Sequence, residues 1–268
     1  MMKFKILLTL CCFYAQWLCG EQPSSADDLL NRIIEKAKQN DEWVKSYGSF
    51  QETILKRLES DGKLKSQETR TYRTIWIQDT PYQDLIQVDG KDLSESHKKE
   101  EAKRKSKFIE SLRKKKEDSG EKEEFSWEEL RAKYEFALLP PDELGHYVFT
   151  FQPRNGKLSE RSRAERILNH LSGTFWADDQ HNILRIEAHL IGPVRFGLGI
   201  VAKVEHFEID YRQNKYESVW MPASMFFGFQ ARLGLFKNAH QEAATRFYDF
   251  FPRAKAPEIG PSSSASSE

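Results

Sequence analysis

Between residues 147 and 251 large apolar side chains return at every second position, and a chain patterned that way buries them by laying strands side by side. Tyr147, Phe149 and Phe151 alternate with Val148 and Thr150. Phe207, Ile209 and Tyr211 share one side of a segment from Val201 to Tyr211. Met225, Phe227, Phe229, Ala231 and Leu233 share one side of the next, with Gln230 and Arg232 on the other, and Phe247 to Phe251 closes the pattern. A period of two is the signature of a strand with one buried face. Aromatic residues make up 12% of the chain, and phenylalanine and tryptophan gather after residue 125, so the interior is built from rings.

Further strands and a few helices surround this block. Ser25-Ala26-Asp27-Asp28 is a capping box, and Leu29, Leu30, Ile33, Ile34 and Ala37 follow with helical period, predicting one amphipathic helix over residues 27 to 44. Asp61-Gly62 and Asp89-Gly90 are type I′ turn dipeptides, which predicts tightly connected strands over residues 50 to 93. Ser126-Trp127-Glu128-Glu129 is a second capping box, predicting a short helix with Trp127, Leu130 and Tyr134 on one face that stops before Pro140-Pro141. Thr174 to Ala177 and Ile183 to Leu190 form a hairpin around a polar turn. Gly192-Pro193 and Phe196-Gly197-Leu198-Gly199 interrupt apolar strands and permit a bend. Some nine to eleven strands with local antiparallel connections predict a mainly β, α+β fold: a strongly curved, incomplete antiparallel barrel closed by helices. The pattern predicts a single domain over residues 21–252 with a charged helical segment at about 94–135, and the proline, serine and small residues of 253–268 predict a disordered tail.

The first twenty residues have a different purpose. Lys3 and Lys5 begin a basic start, Ile6 to Leu18 is nearly unbroken apolar, and Leu18-Cys19-Gly20 offers small residues for cleavage. That is the layout of a secretory signal over residues 1–20, and it predicts an exported, periplasmic protein associated in one variant with the outer membrane. Trp17-Leu18 before Cys19 fits a lipoprotein signal poorly. All three cysteines, Cys11, Cys12 and Cys19, lie in this segment, so the mature chain would work without thiol chemistry or disulfides.

Catalytic patterns are missing. There is no G-x-S-x-G elbow, no H-E-x-x-H and no phosphate-binding glycine loop. His189 and His206 sit on neighbouring predicted strands and could meet, but without a carboxylate such a pair is ordinarily structural. Asp178-Asp179 lie on a hairpin turn, where aspartates are common turn formers. Arg161, Arg163 and Arg166 form a cationic cluster more simply explained as solvated charge. The expectation is a protein without catalysis, metal or cofactor. Lys plus Arg and Asp plus Glu balance at 41 each, which argues against a nucleic-acid partner. Lys98, Lys99, Lys103, Arg104, Lys105 and Lys107, then Arg113 to Lys116, crowd one helix, either to meet a membrane surface or as a solvated helix whose stems cover the sheet.

The run from residue 134 to 252 resembles a known group. Tyr134-Glu135-Phe136-Ala137-Leu138, Asp142-Glu143-Leu144-Gly145-His146-Tyr147 and Phe151-Gln152-Pro153 come first. Leu171-Ser172-Gly173-Thr174-Phe175-Trp176-Ala177-Asp178, Phe196 to Lys203 and Val219-Trp220-Met221-Pro222 follow in order. Together they resemble bacterial exported proteins of the outer-membrane lipoprotein-sorting, LolA-like or LolB-like family. The resemblance implies a half-barrel over an apolar cavity that carries an acyl chain, lipid or lipidated protein. The aromatic pattern then nominates Trp76, Phe149, Phe151, Trp176, Phe207, Phe227 and Phe229 as its lining. An envelope interaction or stress-sensor module, docking a partner through the curved sheet and basic helix, is the alternative.

Overall fold

The computed structural model describes residues 25–117, 127–154, 162–196, 202–234 and 237–253. The expected signal segment 1–20, Ser126, Arg161, Gly197 to Gly199 and the tail beyond Arg253 lie outside these residues. The chain begins with α1 (Ala26–Val44), then β1 (Tyr47–Leu58), β2 (Leu64–Ile77), β3 (Thr80–Val88) and β4 (Lys91–Asp92). Two helices follow, α2 (Glu95–Glu117) and α3 (Trp127–Lys133), and α3 runs directly into β5 (Tyr134–Leu139). Next come β6 (Tyr147–Pro153), α4 (Arg163–Leu168), β7 (Leu171–Ala177), β8 (Ile183–Leu190) and β9 (Val194–Phe196). Three long strands end the chain: β10 (Ala202–Tyr216), β11 (Val219–Leu233) and β12 (Lys237–Pro252).

All the strands join one antiparallel 12-stranded sheet, ordered β4-β3-β2-β1-β12-β11-β10-β8-β7-β6-β5, with β9 also on β10. The sheet is open, because β4 and β5 are its two ends and do not pair. β8 and β9 occupy the same side of β10, separated at Ile191-Gly192-Pro193 where the expected interruption falls. One register row crosses almost the whole sheet: Phe136, Phe151, Gly173, Ala188, Ile209, Phe227, Ala243, Leu55 and Glu68. Opposed residues of antiparallel strands share a face, so this row fixes which side chains lie together. It is apolar from β5 to β11 and ends on a carboxylate at β2. In the adjacent row of that face Thr53 and Thr245 bond hydroxyl to hydroxyl at 2.9 Å.

α1 packs on the apolar end of that face. The side chain of Ser25 accepts from the Asp28 backbone N–H at 3.1 Å, the expected cap, and Asp27 and Asp28 stand in the first turn where the helix dipole favours them. Leu29, Leu30, Ile33 and Ile34 are buried against Phe149, Phe175, Ala177 and Ile183, with Trp127, Phe136 and Phe151 around them. At the far end Asn40 clamps the Trp220 backbone, donating to its carbonyl at 2.7 Å and accepting from its N–H at 3.0 Å. A second buried cluster of Val194, Val204 and Ala231 lies on β9, β10 and β11.

Two expectations change. The short helix ends at Lys133 rather than near Pro140, because Tyr134 and Phe136 alternate and pair with β6 as a strand. Asp61-Gly62 belongs to a longer loop between Leu58 and Leu64 in which Gly62 alone takes positive φ, 84°. Asp89-Gly90, with φ of 51° and 70° between paired Val88 and Lys91, is the two-residue turn. His189 and His206 find separate partners, Ser172 at 3.3 Å and Glu208 at 3.5 Å. Among the described residues no helix is long and apolar enough to cross a membrane.

Candidate functional site

Beneath α1 the side chains do not fill the space. A cavity of about 200 Å³ is bounded by Leu30, Ile33 and Ile34 of α1, Trp127 and Leu130 of α3, and Leu168 of α4. Its other wall is the sheet: Tyr134, Phe136, Phe151, Leu171, Phe175, Ile183, Ile186 and Ala188. Each of these elements is held in place. α3 lies along α1 through the Lys38–Glu128 and Arg131–Asp27 ion pairs, the latter at 3.4 Å. α4 is capped by Ser162, whose hydroxyl accepts from the Glu165 N–H at 3.1 Å. Its Glu165 carboxylate, 1% exposed, pairs with Lys133 at the end of α3.

Two polar groups belong to the lining and both are spent: the Trp127 indole donates to Asp41, and the Tyr134 hydroxyl donates to the Leu168 carbonyl. Burial pushes its pKa up to about 12, so it stays protonated at any physiological pH. An occupant of this space can make no hydrogen bond and must be apolar. A cavity of roughly 150 Å³ is enough for benzene, so this one accommodates a chain segment of roughly eight carbons. Phe151 is drawn over Gly173, where a Cβ would lie 2.6 Å from the ring and collide with the Glu187 carbonyl. The glycine thereby lets the Phe151 ring lie across β7 toward the cavity.

A second, polar cavity of about 140 Å³ adjoins the first and shares Trp127, Ile183 and Ile186 with it. Lys36, Asn40, Asp41, Asn182, Tyr211 and Gln213 contribute the remaining polar lining. Burial raises the pKa of Asp41 despite a hydrogen bond from Trp127. Burial likewise raises that of Tyr211, whose oxygen accepts from the Gln213 amide at 3.1 Å.

Of the residues nominated from sequence, Phe151 lines the apolar cavity. Phe149 lies beside it but is closed into the core, stacked on Phe175 at 5.2 Å. Phe207, Phe227 and Phe229 share the helix-bearing face but stack among themselves on β10 and β11, away from the cavity. Trp176 opposes Arg185 and Val148 on the other face, with the Arg185 guanidinium 5.2 Å from its ring. Trp76 stands far off on β2, edge-on to Phe251 at 6.3 Å and beneath Arg253. The rest of the lining comes from both layers: Leu30, Ile33, Ile34, Trp127, Leu130 and Leu168 from the helices, and Tyr134, Phe136, Leu171, Phe175, Ile183, Ile186 and Ala188 from the strands. The α1 stripe was the signal for the first three.

Other charged clusters have structural partners. On the opposite face Asp210 accepts from both Arg185 and Arg212, which hold its carboxyl below the ordinary range against the burial that would raise it. Among the described residues no three of His, Cys, Asp and Glu gather as metal ligands would.

No known family profile matches the chain, and no curated protein does. Among solved structures, a DUF1329 family protein from Desulfovibrio piger ATCC 29098 is similar at a TM-score of 0.33 and 12% identity. The likeness covers 85% of this chain and 94% of that one, too distant to carry a residue or a function across.

Proposed function

We propose that this chain is a non-enzymatic periplasmic carrier that holds one alkyl or acyl chain of a lipid or lipidated cargo beneath α1. The observation that carries the reading is the cavity: about 200 Å³, walled by aliphatic and aromatic side chains, with its one hydroxyl already bonded. The export-type start and the LolA-like resemblance of residues 134–252 point the same way. The size sets the strength. Burying a CH₂ gains ~0.8 kcal/mol, so about eight carbons gain ~6 kcal/mol before the cost of association is subtracted. That corresponds to a dissociation constant no tighter than tens of micromolar, suited to a carrier that must release what it holds.

Native mass spectrometry of the protein purified from an envelope fraction tests this. A co-purifying lipid or acyl species is expected, and it should vanish in Ala188→Leu, which narrows the cavity from the β8 wall. A clean unliganded mass in repeated preparations, with no uptake of added 1-octanol, would overturn the carrier.

One observation favours a second reading, an envelope interaction or sensor module. Lys99, Lys103 and Lys107 follow one another at one-turn spacing along the exposed side of α2, with no ion-pair partner among the described residues. In that reading this stripe meets an anionic membrane surface or partner and the sheet does the docking.

A further inference from the structure

The polar cavity contributes nothing to holding an alkyl chain, yet it opens from the same walls. Trp127, Ile183 and Ile186 line both spaces, so the two cavities meet at these three side chains. Two of its polar residues are fixed structure. Asn40 is committed to the Trp220 backbone, and the Asn182 amide donates to the Asp178 carboxylate at 2.9 and 3.1 Å. Three groups stay available to a ligand. The Lys36 ammonium and the Asp41 carboxylate carry opposite charges; Asp41 accepts from Trp127 and has further lone pairs to offer, and the Tyr211 oxygen accepts from Gln213, which leaves its own O–H to donate.

This composition selects a head group. A purely anionic head would gain Lys36 and the tyrosine but be pressed against Asp41. A purely cationic head would gain Asp41 and meet Lys36. A zwitterion satisfies both, since its two charges can be oriented to face the opposite pair. The tail is limited by the same arithmetic as before, roughly eight carbons in the apolar space, which leaves no room for a second chain. Resting on the reading of the apolar cavity as an alkyl site, we infer that the two cavities together take a single-chain zwitterionic amphiphile. Its tail lies against Phe136, Phe151 and Phe175, its anionic part faces Lys36 and Tyr211, and its cationic part faces Asp41.

Calorimetric titration of the full chain with octyl compounds below their micelle concentrations tests the inference: octylphosphocholine, octyl sulfate, octyltrimethylammonium and 1-octanol. Octylphosphocholine should bind at least about tenfold more tightly than either singly charged compound, the size of one good charge-assisted contact. Lys36→Gln should erase its advantage over octyltrimethylammonium, and Asp41→Asn its advantage over octyl sulfate. Both variants should bind 1-octanol as the parent does. Equal affinity for all four compounds, or a preference for one singly charged head, would overturn the zwitterion site and leave the alkyl site standing. Failure to bind any of them, 1-octanol included, would overturn both.

Discussion

The two long helices of this molecule are attached to the same sheet by opposite means. α1 lies on the β5–β8 end through aliphatic side chains, with Leu29 and Ile33 each 1% exposed, and only at its far end does Asn40 add hydrogen bonds, to the Trp220 backbone of β11. α2 lies on β3 through polar contacts. The Tyr82 hydroxyl donates to buried Glu101 at 2.7 Å, Arg104 donates to the same carboxylate through Nε and Nη2 at 2.9 Å, and its Nη2 also donates to the Gln83 carbonyl. Lys105 approaches Asp84 at 3.7 Å, the Arg104 guanidinium lies 4.7 Å from the Tyr82 ring centre, and the Phe108 ring lies 4.9 Å from the same ring. Apolar contact is non-directional and leaves gaps where shapes disagree, and the cavity sits under α1. A hydrogen-bonded attachment fixes direction and covers β3, the strand left largely unpaired on one side. One helix leaves an apolar gap beneath it and the other finishes a sheet.

The sharpest way to break this contrast is to cut the apolar attachment. Ile33→Ala removes buried volume beside an existing cavity and should lower unfolding free energy by about 2–5 kcal/mol, read from the denaturant midpoint. A loss below ~1 kcal/mol would mean that α1 is a loosely laid cover and not core. Next comes Glu101→Ala, which leaves the Tyr82 hydroxyl and the Arg104 guanidinium without their shared acceptor. It should cost about 1–3 kcal/mol, and amide exchange should quicken in α2 while α1 stays protected. Equal quickening in both helices would show that the two attachments are not independent.

The origin of each helix differs in how far it was legible. The α1 stripe and its Ser25 cap are local signals, and both appear where the period of 3.6 puts them. The Asp89-Gly90 turn is equally local. The cavity is not. Its walls come from α1, α3, α4 and four strands, and no local pattern says which aromatic of an adjacent pair turns inward. Phe175 and Trp176 show the difficulty. They alternate faces by necessity, and the register slips at Trp176/Ala177, so parity counted along β7 has no fixed origin. Phe227 and Phe229 share the cavity's face of the sheet, yet β10 stands between their strand and the β8 wall of the cavity, an offset that only pairing order reveals.

A third test uses pH. Burial, and after it the hydrogen bond to Glu101, holds the Tyr82 hydroxyl well above its ordinary pKa of 10.0. A folded-state pKa raised above the unfolded one contributes stability that is whole below pH 10 and drains away as pH climbs toward the folded value. The parent protein should therefore lose stability more steeply between about pH 9.5 and 11 than Tyr82→Phe does. At neutral pH the same variant should cost only ~1 kcal/mol, the net value of one hydrogen bond. Parallel pH curves for the two proteins would remove Tyr82 from the attachment of α2.

The smallest expected effect belongs to the outward side of the same helix. Glu101, Arg104, Lys105 and Phe108 recur at three- and four-residue intervals and face β3, which turns Lys99, Lys103 and Lys107 away from it. Exposed lysines of this kind contribute little to folding, and like charges one turn apart repel slightly. Replacing all three with glutamine should shift stability by no more than about 0.5 kcal/mol, in either direction. A loss of ~2 kcal/mol would mean that the lysines are folded against another part of the chain and that α2 is buried on two sides. A null result would divide α2 cleanly into a side that completes the sheet and a basic side with no part in folding, and any effect of the triple variant on vesicle association would then report binding alone.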